Sequence, residues 1–302
     1  MEKPVDLKKL SNEDIKNFLD SFDTVLSDCD GVLWLLNSPI SGAFDALKNL
    51  EKLGKKILFV SNNNLSTVDD YLKKFEMMGY NAKPEQIVIP SIVILEHLLS
   101  INFEGKALVI GSPAFKKILS DGGIDVVSEP SVIDEVNTIR DVAKNIPEVK
   151  AVIFDCDLNL NYAKIMQAAV HVERDDVLFF VGPMDKKLPV APSLTLIGPG
   201  FFAEMVIDHC GKSPIEYSKP SELLRIYLTK NYSLNNPNRC LFIGDSLSND
   251  MKFAQSAGFQ KLWVGSGVDS LGSEQTLEPN DRPDFYLPDL GVLGDLINHI
   301  NN

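Results

Sequence analysis

Thr24-Val25-Leu26-Ser27-Asp28-Cys29-Asp30-Gly31-Val32 runs from a β-branched, apolar segment straight into two carboxylates and a glycine. The first four residues have the composition of a short buried strand. In open parallel sheets ligands bind beyond the carboxyl ends of the strands, where Asp28 and Asp30 would then stand. Two carboxylates at i and i+2 repel unless something positive offsets them, and Mg2+ prefers such oxygen ligands. A strand-to-loop corner with two solvated aspartates fits the same residues equally well.

Strands and helices alternate outward from this stretch. Phe44, Leu47, Leu50 and Leu53 share one helical face, with Gly54 as C-cap. Ile57-Leu58-Phe59-Val60 reads as a second buried strand, ending in Ser61-Asn62-Asn63-Asn64. A helix opened by Ser66 or Thr67 follows, carrying Val68, Leu72 and Phe75, and Gln86 to Pro90 forms a third strand. This alternation predicts parallel pairing with right-handed crossovers. The middle of the chain repeats the theme with strands at Ala107–Gly111, Ala151–Phe154 and Val177–Val181. Residues 182–200, rich in Gly and Pro, are expected to be a long irregular segment. Further strands fall at Cys240–Ile243 and Lys261–Val264, and Asp284–Leu287 reads as a short edge strand. The expected fold class is α/β: a Rossmann-like parallel-sheet core, 1–90 and 212–302, with a second α/β unit, 91–211, inserted into it.

With 302 residues, 44% hydrophobic and 24% charged, the chain has the composition of an ordinary folded protein of one or two domains. No apolar run approaches the roughly 18 residues that span a bilayer. Met1 to Asp6 lacks the apolar segment of a signal peptide. Cys29, Cys156, Cys210 and Cys240 lie far apart with no CxxC pair, as expected of reduced thiols in a cytoplasmic protein. A net charge of −13 argues against nucleic acid or an anionic membrane as the main partner. An anionic substrate would need a local positive site.

Three further constellations matter. Ser61-Asn62-Asn63 offers hydroxyl and amide groups where an oxyanion could sit, though Ser and Asn also dominate turns. Lys219-Pro220 precedes a helix, Ser221 to Leu228, and a lone lysine is usually solvated. Ile243-Gly244-Asp245-Ser246-Leu247-Ser248-Asn249-Asp250 is more specific, because strand, glycine and paired acids coincide.

Strand-Asp-x-Asp-Gly, strand-Ser-Asn-Asn, Lys-Pro and strand-Gly-Asp-x4-Asp, in that order, resemble the haloacid dehalogenase superfamily of phosphohydrolases across the whole chain. Asp28 to Trp34, Ser61-Asn62-Asn63 and Asn161-Tyr162-Ala163-Lys164 are similar to its phosphoglycolate and pyridoxal phosphatase branch, often called 4-nitrophenylphosphatases. That branch carries a large α/β cap between its second and third motifs, where the insertion falls. The resemblance implies that Asp28 attacks phosphorus to form an aspartyl-phosphate, while Asp30 serves as acid and then base. It implies Mg2+ held by Asp28, Asp245 and the carbonyl of Asp30. Asp250 would orient Asp245 or a water on the metal, or bind weakly. Ser61, Asn62, Asn63 and Gly31 would meet the phosphoryl group, and Lys219 would hold Asp28 and the phosphate.

Asp30 separates this chain from dehalogenases, which need neither second acid nor metal, and from ion-pumping ATPases, which have Thr there. Phe154-Asp155-Cys156-Asp157 echoes the opening motif, but Leu158 replaces the glycine, no strand ending in Ser-Asn follows, and the stretch lies within the cap. Gly182-Pro183-Met184-Asp185 stands where relatives usually carry a Thr-Asn pair, with Leu188-Pro189 retained. Gly198-Pro199-Gly200-Phe201-Phe202 replaces a Gly-x-Gly-Ser segment, so a changed, more apolar or smaller pocket is expected. The expected substrate is a small phosphorylated metabolite, with phosphoglycolate-like and pyridoxal phosphate-like readings both open. The resemblance also allows a homodimer through the cap. A binding protein that keeps the fold without catalysis is the remaining alternative.

Overall fold

The computed structural model describes residues 4–127, 138–142, 144–191 and 194–301. Seven parallel strands form the core sheet, in the order Val5–Asp6, Phe285–Leu287, Gln260–Val264, Cys240–Gly244, Thr24–Ser27, Lys56–Val60 and Ile87–Val88. Thr24–Ser27 lies beside the central strand Cys240–Gly244 and is buried along its whole length, as a strand covered by helices on both faces must be. Apolar helical stripes supply that cover. Ala43–Lys52 turns Phe44, Leu47 and Leu50 inward, and it packs against Gly291–Asn301. Val68–Met77 opens with a capping box in which Thr67 and Asp70 satisfy each other's backbone amides.

A second sheet of five parallel strands runs Ile215–Glu216, Leu178–Val181, Val149–Phe154, Lys106–Ile110 and Asp125–Val127. Its residues come from the middle of the chain, so it forms the inserted cap. Ile215–Glu216 belongs to this second sheet although it lies beyond residue 211.

Three expectations need correction. Residues 182–200 are not irregular throughout: Lys187–Ala191 and Leu194–Ile197 pair as an antiparallel hairpin. Gly and Pro flank that hairpin, and their density hid it. Phe285–Leu287 is not an edge strand, because the two-residue strand Val5–Asp6 pairs outside it. Pro90 does not merely stop the third strand; it starts the helix Pro90–Ser100, where its missing N–H costs nothing.

Candidate active site

The register of the two central strands brings the acids together. Ser27 pairs with Ile243, and the Asp28 amide donates to the Ile243 carbonyl at 2.8 Å. Asp28 and Asp245 therefore leave neighbouring strands side by side at their carboxyl ends. Asp250 joins them from the single π-helical turn Leu247–Met251, its Oδ2 accepting from the amides of Asp245 at 3.1 Å and Ser246 at 3.0 Å. The potential ligand atoms of Asp28, Asp245 and Asp250 lie within 4.8 Å of one another, and all three residues are buried.

Lys219 opposes them. Its Nζ lies 2.8 Å from Asp28 Oδ1 and 2.7 Å from Asp250 Oδ1, and its side chain is only 2% exposed. Burial works against that ammonium, but Asp250 and Asp28 outweigh burial and hold its pKa above the ordinary lysine value. Burial raises Asp28, opposed by Lys219 and reinforced by Asp250 and Asp30. Burial, then Asp250 and Asp28, pushes Asp245 well above the carboxylate range. Three buried carboxylates thus face one buried ammonium, a combination that a divalent cation with a preference for oxygen would relieve. Glycines pack closely against two of the carboxylates. A Cβ on Gly31 or Gly267 would collide with the Asp245 carboxylate, and one on Gly244 with Asp250. The donor set and its repulsion fit Mg2+.

Asp30 sits at the mouth of this cluster. Its Oδ1 accepts from Trp34 Nε1 at 2.9 Å, and Oδ2 from Asn63 Nδ2 at 3.4 Å. Gly31 makes the turn between them with φ +86°, a conformation that favours glycine. Its amide donates to the Trp34 carbonyl at 2.8 Å, and its own carbonyl accepts from Ser266 Oγ at 2.6 Å.

Ser61 Oγ accepts from the Asn63 amide at 3.1 Å and lies 2.9 Å from Tyr71 Oη, and the residue lines the cavity. Asn62 lines the cavity and also holds the lysine. Its Oδ1 accepts from the Lys219 amide at 2.8 Å, and its Nδ2 donates to the Lys219 carbonyl at 3.2 Å and to Asp185 at 3.5 Å.

The site opens into a cavity of about 360 Å³ between core and cap. The cap contributes Pro183, Asp185, Leu188, Leu196 and Pro199 to its wall. Phe201 and Phe202, expected to reshape the pocket, are not in that wall; Phe201 is half-exposed and lies beneath Lys186. Asp185 accepts from Asn62 and Asn249, reaching from the cap onto two core loops. Burial raises its pKa, with the Lys219 charge pulling it down. Asp155 lies elsewhere, buried at the junction of the two units. Its Oδ2 accepts from Tyr217 Oη at 2.7 Å and Asn64 Nδ2 at 2.8 Å.

The Haloacid dehalogenase-like hydrolase family model matches residues 25–125, and a HAD-hydrolase-like model matches residues 216–293. The chain is 30% identical over 284 residues to the chloroplastic phosphoglycolate phosphatase 1A of Arabidopsis thaliana, covering 92% of this chain and 78% of that one. The chain belongs to the haloacid dehalogenase-like hydrolases. It is also 30% identical over 299 residues to the 4-nitrophenylphosphatase of Schizosaccharomyces pombe, covering 95% and 99% of the two chains. The crystal structure of a glycerol phosphate phosphatase from Mycobacterium tuberculosis in complex with magnesium superposes with a TM-score of 0.75 at 23% identity, covering 91% of this chain and 77% of the other. Like the curated relatives, the protein is a phosphoric monoester hydrolase, and it shares its parallel-sheet α/β fold with the solved neighbour.

The two matched stretches of this haloacid dehalogenase-like hydrolase leave out the part of the cap that carries Asp155, Gly182 and Asp185. Asp185 and Asn249 were not among the expected site residues, although Asp185 belonged to a loop already marked as unusual. Trp34 and Tyr217 were equally silent, since a buried aromatic residue announces packing rather than a hydrogen bond. Gly182 now has a reason: a Cβ there would strike the Asp155 carboxylate and Tyr217 Oη. The absence of a side chain at Gly182 makes room for this junction.

Proposed function

We propose that this protein hydrolyses small-molecule phosphate monoesters with Mg2+, through an aspartyl-phosphate formed on Asp28. The observation that carries the reading is the Lys219 ammonium set between Asp28 and Asp250 beside the buried Asp245 carboxylate. Asp28, Asp245 and the Asp30 carbonyl would hold the cation, with Asp250 fixing Asp245 or binding weakly. The magnesium in the structural neighbour is consistent with this assignment. When bound, the ion offsets the negative charge of the carboxylates and of the transferring phosphoryl group.

In the first step an Asp28 oxygen attacks phosphorus, and the bond from phosphorus to the alkoxide oxygen breaks. Asp30 gives its proton to that oxygen, and the alcohol leaves. In the second step Asp30 takes a proton from the attacking water, and the bond from phosphorus to Asp28 breaks, releasing inorganic phosphate. Lys219 supplies a fixed positive charge on the Asp28 side throughout. Ser61 donates its hydroxyl proton to a phosphoryl oxygen, Gly31 and Asn63 shape the loop around it, and Asn62 keeps Lys219 in place.

Phosphate release from 4-nitrophenyl phosphate with and without Mg2+, against Asp28→Asn as blank, tests the reading. Release that needs both the metal and Asp28 is expected. Equal release by the blank would overturn it.

A further inference from the structure

We propose that the site selects monoesters whose leaving group is uncharged and largely apolar, about the size of one six-membered ring. This rests on the phosphatase reading, which fixes the phosphate end at Asp28 and Lys219 and leaves the rest of the cavity for the alcohol.

Much of the cavity wall is aliphatic, including Leu36, Leu65, Leu158, Leu188, Leu196 and Pro199. Three of them stand unusually open to water, Leu36 at 55%, Leu158 at 77% and Leu196 at 50% exposed. An apolar group entering the cavity would cover part of this surface and gain from its removal from water.

The charges in the wall point the same way. Among the described residues that line the cavity there is no arginine and no histidine. Lys219 is committed to Asp28 and Asp250. The other cation, Lys187, is exposed on the rim, where water screens it. Asp185, held by Asn62 and Asn249, presents a carboxylate from the cap side. A leaving group with its own carboxylate would meet that charge with only a hydrated lysine in compensation.

Size is compatible with such a group. A cavity of about 150 Å³ suffices for benzene, so about 360 Å³ has room for a phosphoryl group and a six-membered ring.

The test compares benzyl phosphate with 4-carboxybenzyl phosphate, whose leaving alcohols have nearly equal acidity. With Mg2+, kcat/KM is expected to favour the uncharged ester at least tenfold. Lys187→Ala should lower the carboxylate ester by less than threefold, and Leu65→Lys should narrow the preference. Calorimetric binding of benzylphosphonate and 4-carboxybenzylphosphonate reads the same selectivity without turnover. Equal kcat/KM for the two esters, or a preference for the carboxylate, would overturn the selectivity while leaving the phosphatase reading intact. No turnover of either ester, with benzylphosphonate still bound at least tenfold more tightly, would overturn the phosphatase reading and support the selectivity. A tenfold loss for the carboxylate ester in Lys187→Ala would overturn the assignment of the rim.

Discussion

Asn62 grips Lys219 by its backbone: Oδ1 accepts from the lysine amide at 2.8 Å while Nδ2 donates to the lysine carbonyl at 3.2 Å. A residue at the end of one core strand thereby fixes a residue 157 positions later, next to the cluster its ammonium must reach. Each hydrogen bond contributes about 1 kcal/mol net. Asn62→Ala should therefore lower kcat by about tenfold to a hundredfold, with KM nearly unchanged. The rise in Tm produced by Mg2+ should stay as in the parent protein. A variant with full kcat would show that the clamp is dispensable.

Lys219→Met leaves three buried carboxylates with no protein cation against them. Breaking a buried pair in this way costs about 3–5 kcal/mol of stability. Because the remaining cluster is more negative, Mg2+ should raise Tm further in the variant than in the parent. Thermal melts with and without Mg2+ read both effects, and an identical metal-induced shift would contradict the electrostatic account.

Gly267→Ala places a methyl group against the Asp245 carboxylate, whose Oδ2 also accepts from the Val268 amide at 2.7 Å. Displacing an oriented ligand typically costs about 10–100-fold in metal affinity. The Mg2+ concentration for half-maximal activity should rise by that factor, while kcat at saturating metal recovers substantially. An unchanged half-maximal concentration would remove Asp245 from the metal site.

Burial pushes the Asp155 carboxyl up to about 6, against hydrogen bonds from Tyr217, Cys156 and Asn64. The unfolded chain loses this proton near the ordinary value of 3.8, so the folded state carries the extra proton between about pH 4 and 6. Its contribution to stability is present below pH 4 and lost as pH rises through 6. Relative to Asp155→Asn, the parent should lose about 2 kcal/mol of stability between pH 4.5 and 7. Urea midpoints at pH 4.5 and 7 measure it, and a constant difference would contradict the raised pKa.

The parts of the site legible in the sequence are those that local pattern places. Asp28, Asp30, Asp245 and Asp250 follow apolar strands or the turn after one, and Lys219 stands next to a proline that precedes the helix capped by Ser221. The junction around Asp155 was not legible, because Tyr217 and Asn64 reach it over 62 and 91 residues. No periodicity encodes such a meeting. Val5–Asp6 was too short to read as a strand and draws its pairing from Phe285–Leu287. The hold of the Asn62 side chain on the Lys219 backbone was not legible either, because that partner is supplied by the fold.

The central claim is that Asp28 carries the phosphoryl group. Asp30→Asn removes the base for the second step, and 4-nitrophenolate leaves without needing a proton from Asp30. Acid-quenched Asp30→Asn, incubated with 4-nitrophenyl phosphate and Mg2+, should show phosphate on the peptide containing Asp28 by tandem mass spectrometry. The same peptide from Asp28→Asn should carry none. Phosphate on another residue, or rapid turnover by Asp28→Asn, would contradict the account.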